Sequence, residues 1–313
     1  MNAPNRHGSA LPAPIEEWKS RGKTIDFLAH QVFTIAAGPE NEASPLFILH
    51  GFPSSTFDFH LVLDALSAKR RVIMADHLGF GLSDKPSNYS YSLHEQADIA
   101  LLVMRHYGIK RAHLLAHDYG TSVATELLAR RARGLLPLEF SSVTLCNGSV
   151  HIALAQLTPS QKLLRLPQIG PLFAQIARPS IFKAQLRRIL GHPQSISEEE
   201  LDWMWTLMIH KGGRDALPKL ISYLDERSRF QHRWTHALTA FEGPAHVLWG
   251  RRDPIAVPAI PERLAREFPN VRLTWLPELG HYPMLEAPDS WSSAVLSFLD
   301  EIDSRSAEQE SHG

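Results

Sequence analysis

Six short apolar runs, separated by stretches of helical periodicity, leave this chain of 313 residues few folds to choose from. They are PLFILH (45–50), RVIMAD (71–76), AHLLAH (112–117), SVTLCN (142–147), AHVLWG (245–250) and VRLTWL (271–276). Most are apolar without alternation, which suits strands covered by helices on both faces of a sheet. The segments SLHEQADIALLVMRHYG, TSVATELLARRARG, PAIPERLAREF and PDSWSSAVLSFLDEI carry apolar residues at helical spacing. Strand and helix in turn predict an α/β fold with a mostly parallel central sheet and helices on both faces. QVFTIAAG, near the start, predicts an antiparallel edge strand.

The alternation stops over residues 149–235, where PSQKLLRL, GPLFAQIA, SIFKAQLRRIL, SEEELDWMWTLMIH and DALPKLISYLDERSRF all read as helices. We expect an inserted helical cap over 149–235, which divides the core into 1–148 and 236–313. Residues 1–14 read as a flexible leader and 304–313 as a flexible tail. The 32 basic and 33 acidic side chains nearly cancel, and no basic run is interleaved with aromatics, so nothing favours nucleic acid. The single cysteine, Cys146, excludes an intramolecular disulfide and fits a reducing compartment. No run approaches the roughly 18–20 apolar residues that a membrane span needs, and the first residues lack a signal-peptide core. A soluble, cytoplasmic protein is expected. The 17 histidines are scattered, without the spacing of a metal site.

In an open parallel sheet, chemistry belongs at the carboxyl ends of the strands. The AHLLAH strand ends at Asp118, AHVLWG runs into Asp253, and VRLTWL runs into His281. Nucleophile, acid and histidine in this order match a nucleophile elbow with its relay. Ala116 and Gly120, two residues either side of Asp118, are small enough for a tight strand-to-helix corner. The HGFP loop (50–53) follows the first of the six runs, and the backbone N–H groups of Phe52 and Tyr119 are the candidate oxyanion-hole donors.

HGFP, DHLGFGLSDKP (76–86), HDYG, GRRDPI and LGHYPMLEAPD resemble the epoxide hydrolase and haloalkane dehalogenase branch of the α/β-hydrolase fold. LLAHDYG, LCNG, ELDWMW and SYLDERSRFQHRW bring it nearest to the mesoderm-specific transcript group of that branch. The resemblance spans residues 44–302 and implies an α/β-hydrolase fold with a cap. It also implies an enzyme acting on a small apolar substrate and water, with no cofactor.

Aspartate at the elbow implies attack on a saturated carbon, because a carboxylate is already ionised near neutral pH and needs no base. Attack forms an alkyl ester on Asp118. Water activated by His281, which Asp253 orients, then hydrolyses it. The acid of this branch follows either the sixth or the seventh major strand. Asn147, after the sixth, cannot ionise, so Asp253 is the expected acid. Related dehalogenases hold the halide with a tryptophan after the nucleophile, often partnered by a cap tryptophan or an asparagine in the HGxP loop. Tyr119 and Phe52 occupy those two core positions here, and Trp203 and Trp205 are the cap candidates. An epoxide hydrolase needs a cap tyrosine as proton donor, and Tyr223 matches that position. Epoxide is therefore the expected substrate class and haloalkane the alternative. A non-catalytic ligand-binding or signalling member of the fold is the alternative of another class.

Overall fold

The computed structural model describes residues 10–40, 44–148 and 150–311, with side chains through residue 308. In chain order the first elements are α1 (Ala13–Ser20), β1 (Gly22–Phe27), β2 (His30–Ala37), β3 (Leu46–Leu49), α2 (Leu63–Ser67) and β4 (Val72–Ala75). They continue with α3 (Leu93–His106), β5 (Arg111–His117), α4 (Tyr119–Ala132) and β6 (Glu139–Cys146). The helices α5 (Pro159–Leu164), α6 (Ile169–Ile176), α7 (Pro179–Arg188), α8 (Glu198–Ile209), α9 (Gly213–Leu220) and α10 (Tyr223–Thr239) follow without a strand. The chain then returns through β7 (Ala245–Gly250), α11 (Ala259–Glu267), β8 (Val271–Leu276), α12 (Pro283–Glu286) and α13 (Pro288–Ser311).

The eight strands form one sheet in the order β1-β2-β4-β3-β5-β6-β7-β8. β1/β2 and β2/β4 pair antiparallel, and every other neighbouring pair is parallel. The six apolar runs are the six parallel strands. β3 shows why they lack alternation: Phe47 and Leu49 enter one core cluster, Leu46 and Ile48 the other, and all four are buried. QVFTIAAG is antiparallel as expected, but it is not at the edge. β1 lies outside it, in register from Gly22 opposite Ile35 to Phe27 opposite His30. Only Ile25 and Phe27 of β1 are buried, so its sequence carries almost no strand signal.

Within the insertion, α8 opens on a capping box. Glu200 N donates to Ser197 Oγ at 3.1 Å, and Ser197 N donates back to Glu200 Oε2 at 2.8 Å; such a cap stabilises a helix by about 1 kcal/mol. DALPKLISYLDERSRF is not one helix, for the chain turns between α9 and α10 at Ile221 and Ser222.

Both termini are more ordered than expected. α1 begins at Ala13, inside the expected leader, and seats Ile15 and Trp18 in the core; residues 1–9 lie outside the described residues. α13 continues to Ser311, so helix extends into the expected tail, and its last anchors to the core lie just before that tail. Ile302 is buried, Asp303 binds His113 and Arg70, and Arg305 pairs with Glu301 one turn back at 2.6 Å.

Candidate active site

The carboxyl ends of β3, β5, β6, β7 and β8 deliver His50–Pro53, Asp118, Asn147, Asp253 and His281 to one edge of the sheet. Asp118 sits between the last residue of β5 and the first of α4 with φ 44° and ψ −107°, a conformation that non-glycine residues rarely hold. Such strain costs of order 1–3 kcal/mol and persists only where the surroundings enforce it. They do so here. Asp118 N donates to Cys146 O at 3.1 Å, and its own carbonyl accepts from Thr121 N at 3.1 Å. A Cβ on Gly120 would lie 2.4 Å from Leu49 O, so α4 crosses β3 too closely for any side chain there.

Phe52 N donates to Asp118 Oδ1 at 2.9 Å. His281 Nε2 stands 3.5 Å from Asp118 Oδ2, and its Nδ1 lies 2.6 Å from Asp253 Oδ2. All three members of this relay are buried. Asp253 Oδ1 accepts from Ile255 N at 2.8 Å and Ala256 N at 2.9 Å, which leaves Oδ2 to face the imidazole. Burial works against charge on His281, but Asp253 and Asp118 outweigh it and raise the imidazole well above its usual range. Burial also opposes charge on Asp118. The hydrogen bond and charge of His281, with the charges of Arg227 and His117, hold its carboxyl well below the usual range. Both directions favour a carboxylate on Asp118 and a proton on His281.

Two contributors are not among the residues expected from the sequence. Asn147, which cannot serve as the acid, donates to Asp253 Oδ2 at 2.8 Å and to Gly280 O at 3.2 Å, and accepts from Gly250 N at 3.0 Å. It pins the acid and the histidine loop to each other. Its place at the end of β6, where some members of the branch carry the acid, is the available signal. Arg227 of α10 is buried, donates from Nη2 to Asp118 O at 3.1 Å and from Nε to Ser122 Oγ at 2.7 Å, and stacks 4.5 Å from the Tyr223 ring. Its position one turn after Tyr223 in SYLDERSRF puts it on the same helix face. His117, neutral because burial lowers its pKa to about 4, donates from Nε2 to His281 O at 2.7 Å.

A cavity of about 110 Å³ opens on Asp118 and His281. Its walls are largely apolar, with Phe52 and Tyr282 from the core and Leu164, Phe173, Phe182 and Trp205 from the insertion. Of the expected side chains, Phe52 and Trp205 reach it. Trp203 instead packs edge-on against Phe57, with ring centroids 6.3 Å apart. Tyr119 lies behind the wall, its ring within about 5.3 Å of His77 and Phe80 and 5.1 Å from Tyr223. The carboxylate contact that the structure provides is from Phe52 N; Tyr119 N opens α4 directly after Asp118. Tyr223 also stands one layer back, its ring 5.6 Å from Phe52 and its hydroxyl 3.5 Å from Nε2 of Gln161, a cavity residue. Among the described residues no His, Cys, Asp and Glu cluster suits a metal ion, and no helix is long and apolar enough to cross a membrane.

The chain as a whole is similar to known proteins. LipZ of Mycobacterium tuberculosis is 40% identical over 285 residues, 91% of this chain and 98% of LipZ. The mouse mesoderm-specific transcript protein is 32% identical over 92% of this chain and 89% of its own length. Among solved structures, a loop variant of haloalkane dehalogenase DbeA from Bradyrhizobium elkanii superposes with a TM-score of 0.77 at 21% identity, covering 92% of this chain and 99% of its own. Epoxide hydrolase CorEH gives 0.74 at 17% identity, over 90% and 99%. The sequence profile of the alpha/beta hydrolase fold matches residues 44–288. With an unbroken core match and a relative at this identity over nearly its full length, the chain belongs to the α/β hydrolase fold family.

Proposed function

We propose that this protein is a cofactor-independent hydrolase that opens small apolar electrophiles at saturated carbon through an ester of Asp118, with epoxides as the substrate class. The observation that carries this reading is the pair of contacts on the Asp118 carboxylate: Phe52 N–H on one oxygen and His281 Nε2 beside the other. A donor already on the nucleophile's own oxygen is aimed where an oxyanion forms when water attacks the Asp118 acyl carbon. A serine-type elbow aims its donors at the substrate's carbonyl instead.

In the first step an Asp118 oxygen bonds to a ring carbon, the ring C–O bond breaks, and the freed oxygen takes one proton from Tyr223. The phenol is available as a donor because burial, with the Asp118 charge nearby, raises its pKa and keeps it protonated. Reaching the ring requires the hydroxyl to act past Gln161, whose side chain joins it to the cavity. Esterification neutralises Asp118. His281 then loses one of the two anions that held it charged, and its proton passes through water in the cavity to the Tyr223 phenolate, which leaves a neutral imidazole as the base for the second step. It takes a proton from water as the water adds to the acyl carbon. The tetrahedral intermediate collapses, the diol oxygen leaves with the proton that His281 took, and Asp118 is regenerated with one oxygen from water, its acid proton returning to His281.

A haloalkane is the second reading, favoured by Trp205, an N–H-bearing ring on the cavity wall. Turnover in heavy-oxygen water followed by peptide mass spectrometry tests the shared mechanism. Label must enter Asp118, and an active enzyme with unlabelled Asp118 would refute the covalent route. A panel of epoxides and bromoalkanes then separates the two classes.

A further inference from the structure

Residues 140–197 hold six Lys and Arg side chains and no Asp or Glu, in a chain whose 32 basic and 33 acidic side chains almost cancel only when this stretch is included. The same stretch carries six of the nine large apolar side chains that stand exposed among the described residues: Leu163, Leu166, Ile169, Leu172, Ile176 and Ile181. Ile169, Leu172 and Ile176 follow an i, i+3, i+7 spacing and share one face of α6, at 48%, 65% and 64% exposure. Gly170 and Ala174, on the other side of that helix, are buried. Lys162, Arg178 and Arg188 are exposed on the flanking helices, with no carboxylate at ion-pair distance among the described residues.

This face surrounds an entrance. Ile181 and Arg178 are exposed and also line the cavity that ends at Asp118, and Leu164, Phe173 and Ala177 of the same helices complete that wall. Exposed apolar side chains clustered on one surface mark an interaction site. Arg165, Lys183 and Arg187 of this stretch pair with Asp225, Glu198 and Asp202 of neighbouring helices, and Asp215 meets Gln175 of α6. The apolar side chains with the three unpaired cations, Lys162, Arg178 and Arg188, match the boundary of an anionic bilayer, where acyl chains lie below phosphate groups. A second copy of the chain is a poorer occupant, because a two-fold contact would set cation against cation.

We propose that the α5–α7 face docks on an anionic lipid bilayer and that apolar substrate enters the cavity from the bilayer. The docking rests on this surface alone; the substrate route rests also on the hydrolytic reading above. The test is flotation of the full chain with phosphatidylcholine vesicles, with and without phosphatidylglycerol. The chain floats with the anionic vesicles, and added salt releases it. Leu172→Glu and Ile176→Glu each lower the partition about tenfold. Their circular dichroism and melting temperature stay those of the native chain, since both side chains are exposed and neither lines the cavity. Turnover of a water-soluble epoxide is unchanged in these variants, whereas turnover of one dissolved in anionic vesicles falls.

Failure of the native chain to float, or flotation of Leu172→Glu and Ile176→Glu equal to that of the native chain, overturns the docking. Salt-insensitive binding to neutral vesicles overturns the role of the cations. A dimer that these substitutions dissociate, without vesicle binding, assigns the face to a second copy and overturns the proposal. Flotation is read without activity. A chain that floats but hydrolyses nothing therefore refutes the hydrolytic reading and leaves docking intact.

Discussion

Replacing Asp118 by Asn removes one charge and almost no volume. The amide oxygen that takes the carboxylate's place still accepts a hydrogen bond from Phe52 N, so the elbow keeps its shape, but the imidazole of His281 loses an anion 3.5 Å from Nε2. At an effective dielectric of about 20, that pair interaction is about 5 kcal/mol, equivalent to roughly 3.5 pKa units. The native His281 is raised to about 10, against burial, by Asp253 and Asp118 together. In Asp118→Asn it falls, while Asp253, still 2.6 Å from Nδ1, keeps part of the rise. Imidazole-labelled protein titrated by NMR reads this directly, with the His281 signals assigned by their loss in His281→Gln. Mass spectrometry checks that the amide persists. The variant stands for the esterified enzyme, in which Asp118 is likewise uncharged. If His281 titrates within about one unit of its native value, esterification does not convert the imidazolium into a base, and the proposed second step fails.

Asn147→Ala strips three buried hydrogen bonds and leaves Gly250 N without its acceptor. We expect a loss of roughly 2–4 kcal/mol in urea unfolding and stopped-flow traces in which ester hydrolysis slows more than ester formation. Arg227→Gln removes a cation that lowers the Asp118 pKa, so the acidic limb of kcat/KM moves to higher pH; Arg227→Lys restores the limb, and an unmoved limb in the glutamine variant excludes the electrostatic role. Glu126 accepts from Arg233, Trp234 and Arg130 and faces His94. Burial opposes its charge, yet His94 and these donors hold its carboxyl below the usual range. A depressed carboxylate stabilises the fold above its unfolded pKa of about 4.3, and this is lost as pH falls below that value. Glu126→Gln therefore destabilises by about 3–5 kcal/mol at neutral pH and loses less further stability than the native chain below pH of about 4. Tyr223→Phe slows epoxide opening and leaves bromoalkane turnover unchanged; an unaltered epoxide rate excludes Tyr223 as the donor.

Much of this geometry was legible because the constraint was local. A strand buried on both faces must be largely apolar, so β3, β4 and β7 stood out, whereas β8, half-buried from Val271 to Trp275, was legible mainly from its place in the strand–helix alternation. The elbow needs a small residue at Gly120, and the acid and the histidine follow strands. What stayed hidden depends on contacts between distant segments. β1 exposes Lys23, Thr24 and Asp26, and only its pairing with β2 makes it a strand. The helical tail follows from Asp303 meeting His113 on β5, across 190 residues. Arg227 gains its role from the elbow carbonyl, 109 residues earlier in the chain. Tyr223 matched a family position, but periodicity does not say whether a helix face meets a cavity or the layer behind it.

The seam between α10 and α4 limits how the insertion moves. Arg227 grips the corner at Asp118, and two turns of α10 later Arg233 and Trp234 grip Glu126. Both holds are buried, charged and directional, so the long helix travels with the core as a fixed post. The flank formed by α5, α6 and α7 is held by links of another kind: Arg165 reaches Asp225 of α10, Arg214 of α9 donates to the carbonyls that close α6, and Lys183 and Arg187 meet Glu198 of α8. These ties lie nearer to water, where dissolved ions weaken them, so raised salt loosens this side of the insertion before the seam.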